Sequence, residues 1–230
     1  MKKIKLITIL LLGVILFTGC SSKDALKFKE DYESINGKEI GDNKYREVSI
    51  DKDNPFVEVD AEKILKMIED KKSFYVYFGD KKCPWCRSVI EKAIKVSKDY
   101  DIDKIYYVSI WDDDFNEILR DKYKLDDKGK VEKVSDGTDT YNKLLKEFDS
   151  VLSDYTLTDS NNKEVKVGEK RIYAPNFIYI NEGKAIKMTE GISDKQKDAF
   201  QELSDDILDD EEKLFKEFFN NSTQCSKDGC

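Results

Sequence analysis

The chain of 230 residues contains no histidine. This absence excludes Ser-His-Asp and Cys-His catalysis and every metal site that depends on imidazole ligands. The formal net charge is −8 at pH 7, and a negative surface repels nucleic-acid phosphates, so we expect no nucleic-acid partner. Cysteine is limited to five residues. The candidate chemistry of the chain therefore centres on these few thiols.

The first twenty residues have the features of a secretory signal. Lysines within Met1–Lys5 precede a twelve-residue apolar run, which is shorter than the roughly 20 residues of an ordinary spanning helix. Leu16-Phe17-Thr18-Gly19-Cys20 follows and resembles the bacterial lipobox, with Phe17 where leucine is more usual. The resemblance implies a signal peptide over 1–19 and a diacylglyceryl anchor on Cys20. The alternative is an uncleaved anchor in which Cys20 is incidental.

The other four cysteines form two close pairs, Cys83/Cys86 and Cys225/Cys230. A lipid-anchored chain would lie outside the cytoplasm, where thiols can be oxidised and can remain oxidised. Two pairs in an exported protein favour disulfide chemistry. The polar segment 20–52 is expected to be a tether with a short helix over Leu26–Ile35, and 220–230 a flexible tail.

Between 53 and 219 the patterns predict one α/β domain. β-branched and aromatic runs indicate strands, and apolar residues at helical spacing indicate helices. The predicted strands are Phe56–Val59, Ser73–Phe78, Ile105–Trp111, Asn176–Ile180 and Ala185–Met188. The predicted helices are Ala61–Lys71, a helix that follows Cys86, Lys195–Leu208 and Glu211–Phe219.

The highly charged segment at about 112–170 is interpreted as an insertion inside this domain, because it has too few apolar residues for a core of its own. Helices are predicted over Phe115–Tyr123 and Tyr141–Tyr155. A hairpin-like stretch is predicted over 157–165.

The sequence Cys83-Pro84-Trp85-Cys86 lies between a predicted strand and a predicted helix. A cysteine at a helix N-terminus is favoured as an anion by unpaired N–H groups and by the helix dipole. Positive charge nearby, partly offset by Asp80, comes from Lys81, Lys82 and Arg87. A thiolate is the nucleophile of disulfide exchange, and Cys86 lies one turn further on, close enough to resolve a mixed disulfide.

Two stretches together resemble the thioredoxin superfamily: CPWC after FYVYFG, and Ala174-Pro175-Asn176 followed by FIYINEGKAIKMTEGI. The match runs from Phe56 to Leu208, interrupted by the insertion. It implies a thioredoxin-like α/β fold, with a central mixed sheet flanked by helices and an inserted helix-plus-hairpin segment. It also implies a cis bond before Pro175. The family's substrate-facing positions imply that the substrate-binding residues are Pro84, Trp85, Ala174 and Pro175.

The chain departs from the family pattern at one position that matters for chemistry. Many thioredoxins carry a buried acid six residues before the first cysteine, where it serves proton transfer. Tyr77 occupies that position here, and water and Glu91 are candidate substitutes for the acid. CPWC does not fix the direction of electron flow.

The resemblance implies a membrane-anchored, extracytoplasmic thiol-disulfide oxidoreductase in which Cys83 attacks and Cys86 resolves. It would need no cofactor and no metal. Its partners would be exported protein substrates and an integral membrane redox protein. The alternative function is a non-enzymatic binding lipoprotein, for example of the bacteriocin-transport accessory type. A solute-binding lipoprotein is disfavoured because no two-lobed architecture is indicated.

Alternatives also remain for the cysteines themselves. The Cys83/Cys86 pair could be a static disulfide, or could join Cys225 and Cys230 in a four-sulfur zinc site. Cys225/Cys230 could form a local disulfide or a second redox pair that exchanges with Cys83.

Overall fold

The computed structural model describes residues 22–220. Cys20, Cys225 and Cys230 lie outside the described residues, together with the signal-peptide and tail segments. In chain order the elements are α1 (Lys23–Glu33), β1 (Glu39–Ile40), β2 (Asn43–Lys44), β3 (Phe56–Glu58), α2 (Ala61–Glu69), β4 (Phe74–Gly79), α3 (Pro84–Asp99), β5 (Ile105–Ser109), β6 (Lys122–Leu125), β7 (Val131–Ser135), α4 (Asp139–Glu147), β8 (Asp154–Thr158), β9 (Glu164–Lys170), β10 (Asn176–Asn181), β11 (Lys184–Thr189) and α5 (Asp205–Phe219).

A five-stranded mixed sheet forms the centre of the fold, in the order β11-β10-β4-β5-β3. Strands β3, β4 and β5 are parallel, whereas β10 pairs antiparallel with both β4 and β11. The prediction of an α/β fold with a mixed sheet flanked by helices is therefore confirmed. Because the parallel strands end at the same edge, residues that follow β4 and β5 come close together there.

All six residues of β4 are buried, because successive side chains point to opposite faces of the sheet and both faces are covered. Tyr75 and Tyr77 face a cluster that includes side chains of α1, α3 and α5. Phe74, Val76 and Phe78 face the opposite cluster, which includes side chains of α2 and α4. The central strand is thus covered on both faces, as expected for a mainly apolar run.

The short helix expected over Leu26–Ile35 is present as α1, but its segment is not the free polar tether expected over 20–52. Helix α1 begins after Ser22, whose side chain accepts a hydrogen bond from the backbone N–H of Ala25. Ala25, Phe28 and Tyr32 are buried on one face of this helix, and Phe28 stacks on Phe56 of β3 at 4.3 Å between ring centroids. The described part of the segment is therefore packed on the domain.

The prediction of a helix over Phe115–Tyr123 is wrong. Phe115 has a φ of +64°, which no helical residue adopts, and strand β6 begins at Lys122. The carboxylate of Asp112 accepts hydrogen bonds from the backbone N–H groups of Asp114 and Asn116, so it stabilises a turn in place of a helix.

Two further helix boundaries differ from the predictions. A helix was predicted over Tyr141–Tyr155. Helix α4 covers Asp139–Glu147 instead, and Tyr155 lies in β8. The stretch predicted as a helix over Lys195–Leu208 is irregular up to Ser204. There the side chain of Gln201 accepts hydrogen bonds from the N–H groups of Lys197 and Asp198, which competes with helical pairing. The hairpin predicted over 157–165 is present as β8 and β9.

None of the helices in the described part of the chain has the length and apolar content needed to cross a bilayer.

Candidate active site

Cys83 and Cys86 lie at the N-terminus of α3, just beyond the edge where β4 and β5 end. Cys83 is the N-cap residue of the helix and Pro84 occupies its first turn, where a missing N–H costs little. Both cysteines are free thiols; Cys83 is 4% exposed and Cys86 is fully buried. The Cys83 sulfur accepts a hydrogen bond from the backbone N–H of Cys86 at 3.2 Å. The helix end therefore presents a donor to the more exposed sulfur.

The loop before β10 lies against this helix end. The Ala174–Pro175 peptide bond is cis, as expected, and Pro175 is buried. The Cys83 thiol donates to the Ala174 carbonyl oxygen at 3.4 Å. Trp85 and Ala174 are both half-buried and pack on the cluster that contains the two cysteines. The structure thus brings together the two cysteines and the residues predicted to bind substrate.

Two tyrosine hydroxyl groups lie beside the buried Cys86. Tyr77 is fully buried in the same cluster as Cys86, and hydrogen bonding by its hydroxyl lowers the pKa of the Cys86 thiol. Its hydroxyl also pairs with that of Tyr32 from α1, at 2.8 Å. Burial raises the pKa values of Tyr77 and Tyr32 well above those of free tyrosine, so both remain hydroxyl groups at neutral pH.

The pKa of Cys86 is set by opposing effects. Burial raises this pKa well above that of a free thiol, and the nearby Cys83 sulfur raises it further. Hydrogen bonds from the Tyr77 hydroxyl and from the backbone N–H of Asp80 lower it. The buried environment therefore favours the thiol form of Cys86, and two hydrogen-bond donors stabilise its thiolate form when that form is produced.

Asp80 is a buried carboxylate close to the pair in sequence, and both of its oxygen atoms have other hydrogen-bond partners. One accepts from the backbone N–H of Lys82 at 2.7 Å and the other from the Ser109 hydroxyl at 2.7 Å. Burial raises the pKa of Asp80, and these hydrogen bonds partly oppose that effect. Glu91, a candidate substitute for the missing acid, is exposed and accepts from the backbone N–H of Ser49 instead.

The positive charges expected around the motif have separate partners. Lys81 pairs with Asp113 at 3.2 Å, and Lys82 donates to the carbonyl oxygens of Asp112 and Asp113. Arg87 is fully buried and points to the segment around α1, where it donates to the carbonyl oxygen of Tyr32 at 2.8 Å. The lysines thus hold the loop after β5 against the site.

Tyr32 is the site residue that sequence reasoning missed. The signal for it was present, because Ala25, Phe28 and Tyr32 fall at helical spacing on one face of an otherwise charged segment. A helix was predicted over Leu26–Ile35, but as part of a polar tether, so its apolar face was not connected with the domain. Within residues 22–220 no group of three or more metal-ligating side chains comes together.

Gly79 makes room for the Tyr77 hydroxyl. A Cβ atom added at Gly79 would lie 2.1 Å from the Tyr77 oxygen, far inside van der Waals contact. We therefore expect Gly79→Ala to lower the free energy of unfolding by about 1–3 kcal/mol, as overpacking of a core does. Urea unfolding measures this loss. In a Tyr77→Leu background the same substitution should cost less, so equal costs in the two backgrounds would contradict the steric explanation.

Comparison with protein-family models finds no family that matches the chain, and comparison with curated proteins finds no matching relative.

Proposed function

We propose that the protein is a thiol-disulfide oxidoreductase with a thioredoxin-like fold, and that Cys83 and Cys86 are its redox pair. The observation that carries the proposal is the placement of the two free thiols. Cys83 caps a helix N-terminus with a backbone donor on its sulfur, and it lies against the cis Ala174–Pro175 bond. A helix N-terminus favours the thiolate that disulfide exchange requires.

The reaction needs only cysteine sulfur atoms. The Cys83 thiolate attacks a substrate disulfide, which forms a Cys83–substrate bond and releases one substrate thiolate. Cys86 then attacks the Cys83 sulfur, forms the Cys83–Cys86 disulfide and releases the second substrate sulfur as a thiol. The substrate gains two electrons and the pair loses two, and the reverse sequence oxidises a substrate dithiol. Trp85, Pro84, Ala174 and Pro175 line the approach to Cys83 in this proposal.

The proposed location is the outer face of the cytoplasmic membrane, with Cys20 as the lipid anchor. Helix α1 begins at Lys23, so only two residues separate Cys20 from the folded domain. Such a link spans about 10 Å at most. The proposed substrates are therefore exported proteins that pass close to the bilayer, and the proposed recycling partner is an integral membrane redox protein.

The first test is the reduction potential of the Cys83/Cys86 pair. The full chain, with Cys20, Cys225 and Cys230 replaced by serine, is equilibrated in defined thiol buffers, and its free thiols are alkylated and counted. A reversible disulfide supports the proposal. A potential of about −120 mV would make the protein a disulfide donor, and one of about −270 mV a reductant. If no reversible disulfide forms, the proposal fails and the alternative of a binding lipoprotein takes its place.

Trapping in cells gives the second test. We expect Cys86→Ser to accumulate mixed disulfides between Cys83 and exported proteins, because the resolving thiol is gone. Non-reducing electrophoresis followed by identification of the attached chains measures them. The matched control is Cys83→Ser, which should trap nothing, since Cys86 is fully buried. Equal trapping by both variants would contradict the assigned roles. Full biological function of the double variant would favour the binding lipoprotein.

A further inference from the structure

The buried resolving cysteine poses a chemical difficulty that rests on the proposed function. Cys86 is fully buried, so burial disfavours the thiolate that must form when it attacks the mixed disulfide. The carboxylate oxygens of Asp80 are engaged with Lys82 and Ser109. A donor in direct contact with the Cys86 sulfur would offset the cost of burial, since hydrogen bonds to charged groups are the strong ones.

Tyr77 is built into the core in a way that fixes its hydroxyl. Its ring lies between two other rings, stacked on Phe177 at 4.4 Å and on Tyr107 at 5.5 Å between centroids. Gly79 leaves the space that the hydroxyl occupies. The hydroxyl therefore cannot turn away from Cys86 without repacking the core.

The hydroxyl of Tyr32 leaves the single hydroxyl proton of Tyr77 available for donation to Cys86. When Tyr77 donates to the Cys86 sulfur, its oxygen is left as an acceptor, and the Tyr32 hydroxyl lies 2.8 Å away to donate to it. Tyr32 is itself fully buried. A chain of two hydroxyl groups in a low-dielectric core polarises cooperatively toward a negative charge at its end.

We propose that Tyr77 is a catalytic residue of the resolving step, whose hydroxyl donates a hydrogen bond to the Cys86 sulfur as its negative charge develops, and that Tyr32 is the positioning residue that orients this hydroxyl. Hydrogen bonding by the backbone N–H of Asp80 also lowers the pKa of the Cys86 thiol. In this step the Cys86–Cys83 bond forms and the Cys83–substrate bond breaks. The proton lost by Cys86 passes to the leaving substrate sulfur, so atoms and electrons balance.

Ellman's reagent separates the two steps of the reaction in one experiment. The probe is the reduced full chain with Cys20, Cys225 and Cys230 replaced by serine, so that only Cys83 and Cys86 carry thiols. Attack by Cys83 releases the first equivalent of coloured thiolate. Attack by Cys86 on the resulting mixed disulfide releases the second. The fast phase therefore reports Cys83, and the slow phase reports the resolving step.

We expect Tyr77→Phe to slow the second phase about 10- to 100-fold and to leave the first phase unchanged, because one hydrogen bond to a developing charge is lost. The pH midpoint of the slow phase should move to higher pH. Tyr32→Phe should slow the same phase by a smaller factor. The matched control is Tyr107→Phe, which removes the hydroxyl of a buried tyrosine whose ring stacks on that of Tyr77. It should leave both phases unchanged.

Several results would overturn the inference. One is a second phase at the wild-type rate in Tyr77→Phe, and another is equal slowing of both phases. Equal slowing of the second phase by Tyr107→Phe would assign the effect to packing and not to the hydroxyl. The failure of the proposed function itself looks different, since the unsubstituted pair would then release only one equivalent and form no disulfide.

Discussion

Replacing Arg87 with leucine should lower the free energy of unfolding by about 3–5 kcal/mol, among the largest single-residue effects expected for this protein. Arg87 is fully buried, and its guanidinium donates to neutral oxygens. The acceptors are the carbonyl oxygens of Tyr32, Arg46 and Lys81 and the side-chain oxygen of Asn36. Leucine would leave these buried acceptors without their donor, and each unsatisfied group costs roughly 1–3 kcal/mol.

The expected damage extends to the active site. Arg87 is adjacent to Cys86 in α3, and it joins this helix to the end of α1 and to the loop before Cys83. Tyr32, whose backbone it holds, supplies the hydroxyl that meets Tyr77. A variant that still folds should therefore release the segment around α1 first, because Arg87 supplies its main polar attachment to the helix.

Urea unfolding, with hydrogen exchange of the amides in 23–50, measures both effects. Arg87→Lys should also be destabilising, because an ammonium lacks the planar fork of donors that reaches several carbonyl groups at once. The matched control is Lys95→Met on the same helix, where an exposed ion pair with Glu212 is lost and a change below about 1 kcal/mol is expected. A cost for Arg87→Leu no larger than for this control would contradict the structural role.

Replacing Glu211 with glutamine should stabilise the protein by about 2–3 kcal/mol at pH 8. Glu211 is fully buried in α5, and neither of its oxygens accepts a hydrogen bond from the described residues. Burial raises the pKa of Glu211 to about 7, although Lys92 and Arg46 act in the opposite direction. Ionising this carboxyl group at high pH therefore costs free energy in the folded state.

The pH dependence follows from the sign of this shift. The folded pKa of Glu211 lies above the ordinary value of 4.5, so between pH 4.5 and about 7 the folded state binds more protons than the unfolded state. The contribution of Glu211 to stability is therefore greatest below pH 4.5 and declines as the pH rises to about 7. The advantage of Glu211→Gln over the wild type should grow between pH 5 and pH 8.

Urea unfolding at these two pH values tests the prediction, and the neighbouring residue provides its control. Hydrogen bonds from Lys216, Lys95 and Lys92 hold the pKa of Glu212 well below its usual range. Glu212→Gln should therefore destabilise the protein at both pH values, opposite in sign to Glu211→Gln. A difference between Glu211→Gln and the wild type that does not change with pH would argue against the buried, ionising carboxyl group.

The segments that could be predicted from sequence are those whose pattern is local. The apolar run of β4 predicts a strand buried on both faces, and the amphipathic run of α3 predicts a helix buried on one face. Both patterns lie in consecutive residues, so each element can be predicted from its own sequence. The turn Asn181-Glu182-Gly183 between β10 and β11 is likewise local, since Gly183 adopts a φ of +76° that favours glycine. The helix predicted over Phe115–Tyr123 failed because Lys82, distant in sequence, and the turn at Asp112 determine that backbone.

By itself the sequence determined that Cys83 and Cys86 stand one turn apart where a helix follows a buried strand, because both periodicities are encoded around them. The run of β-branched and aromatic residues around Tyr77 likewise placed this residue in a buried strand. Only the tertiary structure decided that Tyr32 meets the Tyr77 hydroxyl beside Cys86 and that Arg87 is buried against the α1 segment. The physical reason is that such contacts join residues 45 and 55 positions apart, and their free energy depends on a burial that exists only once the whole domain has packed.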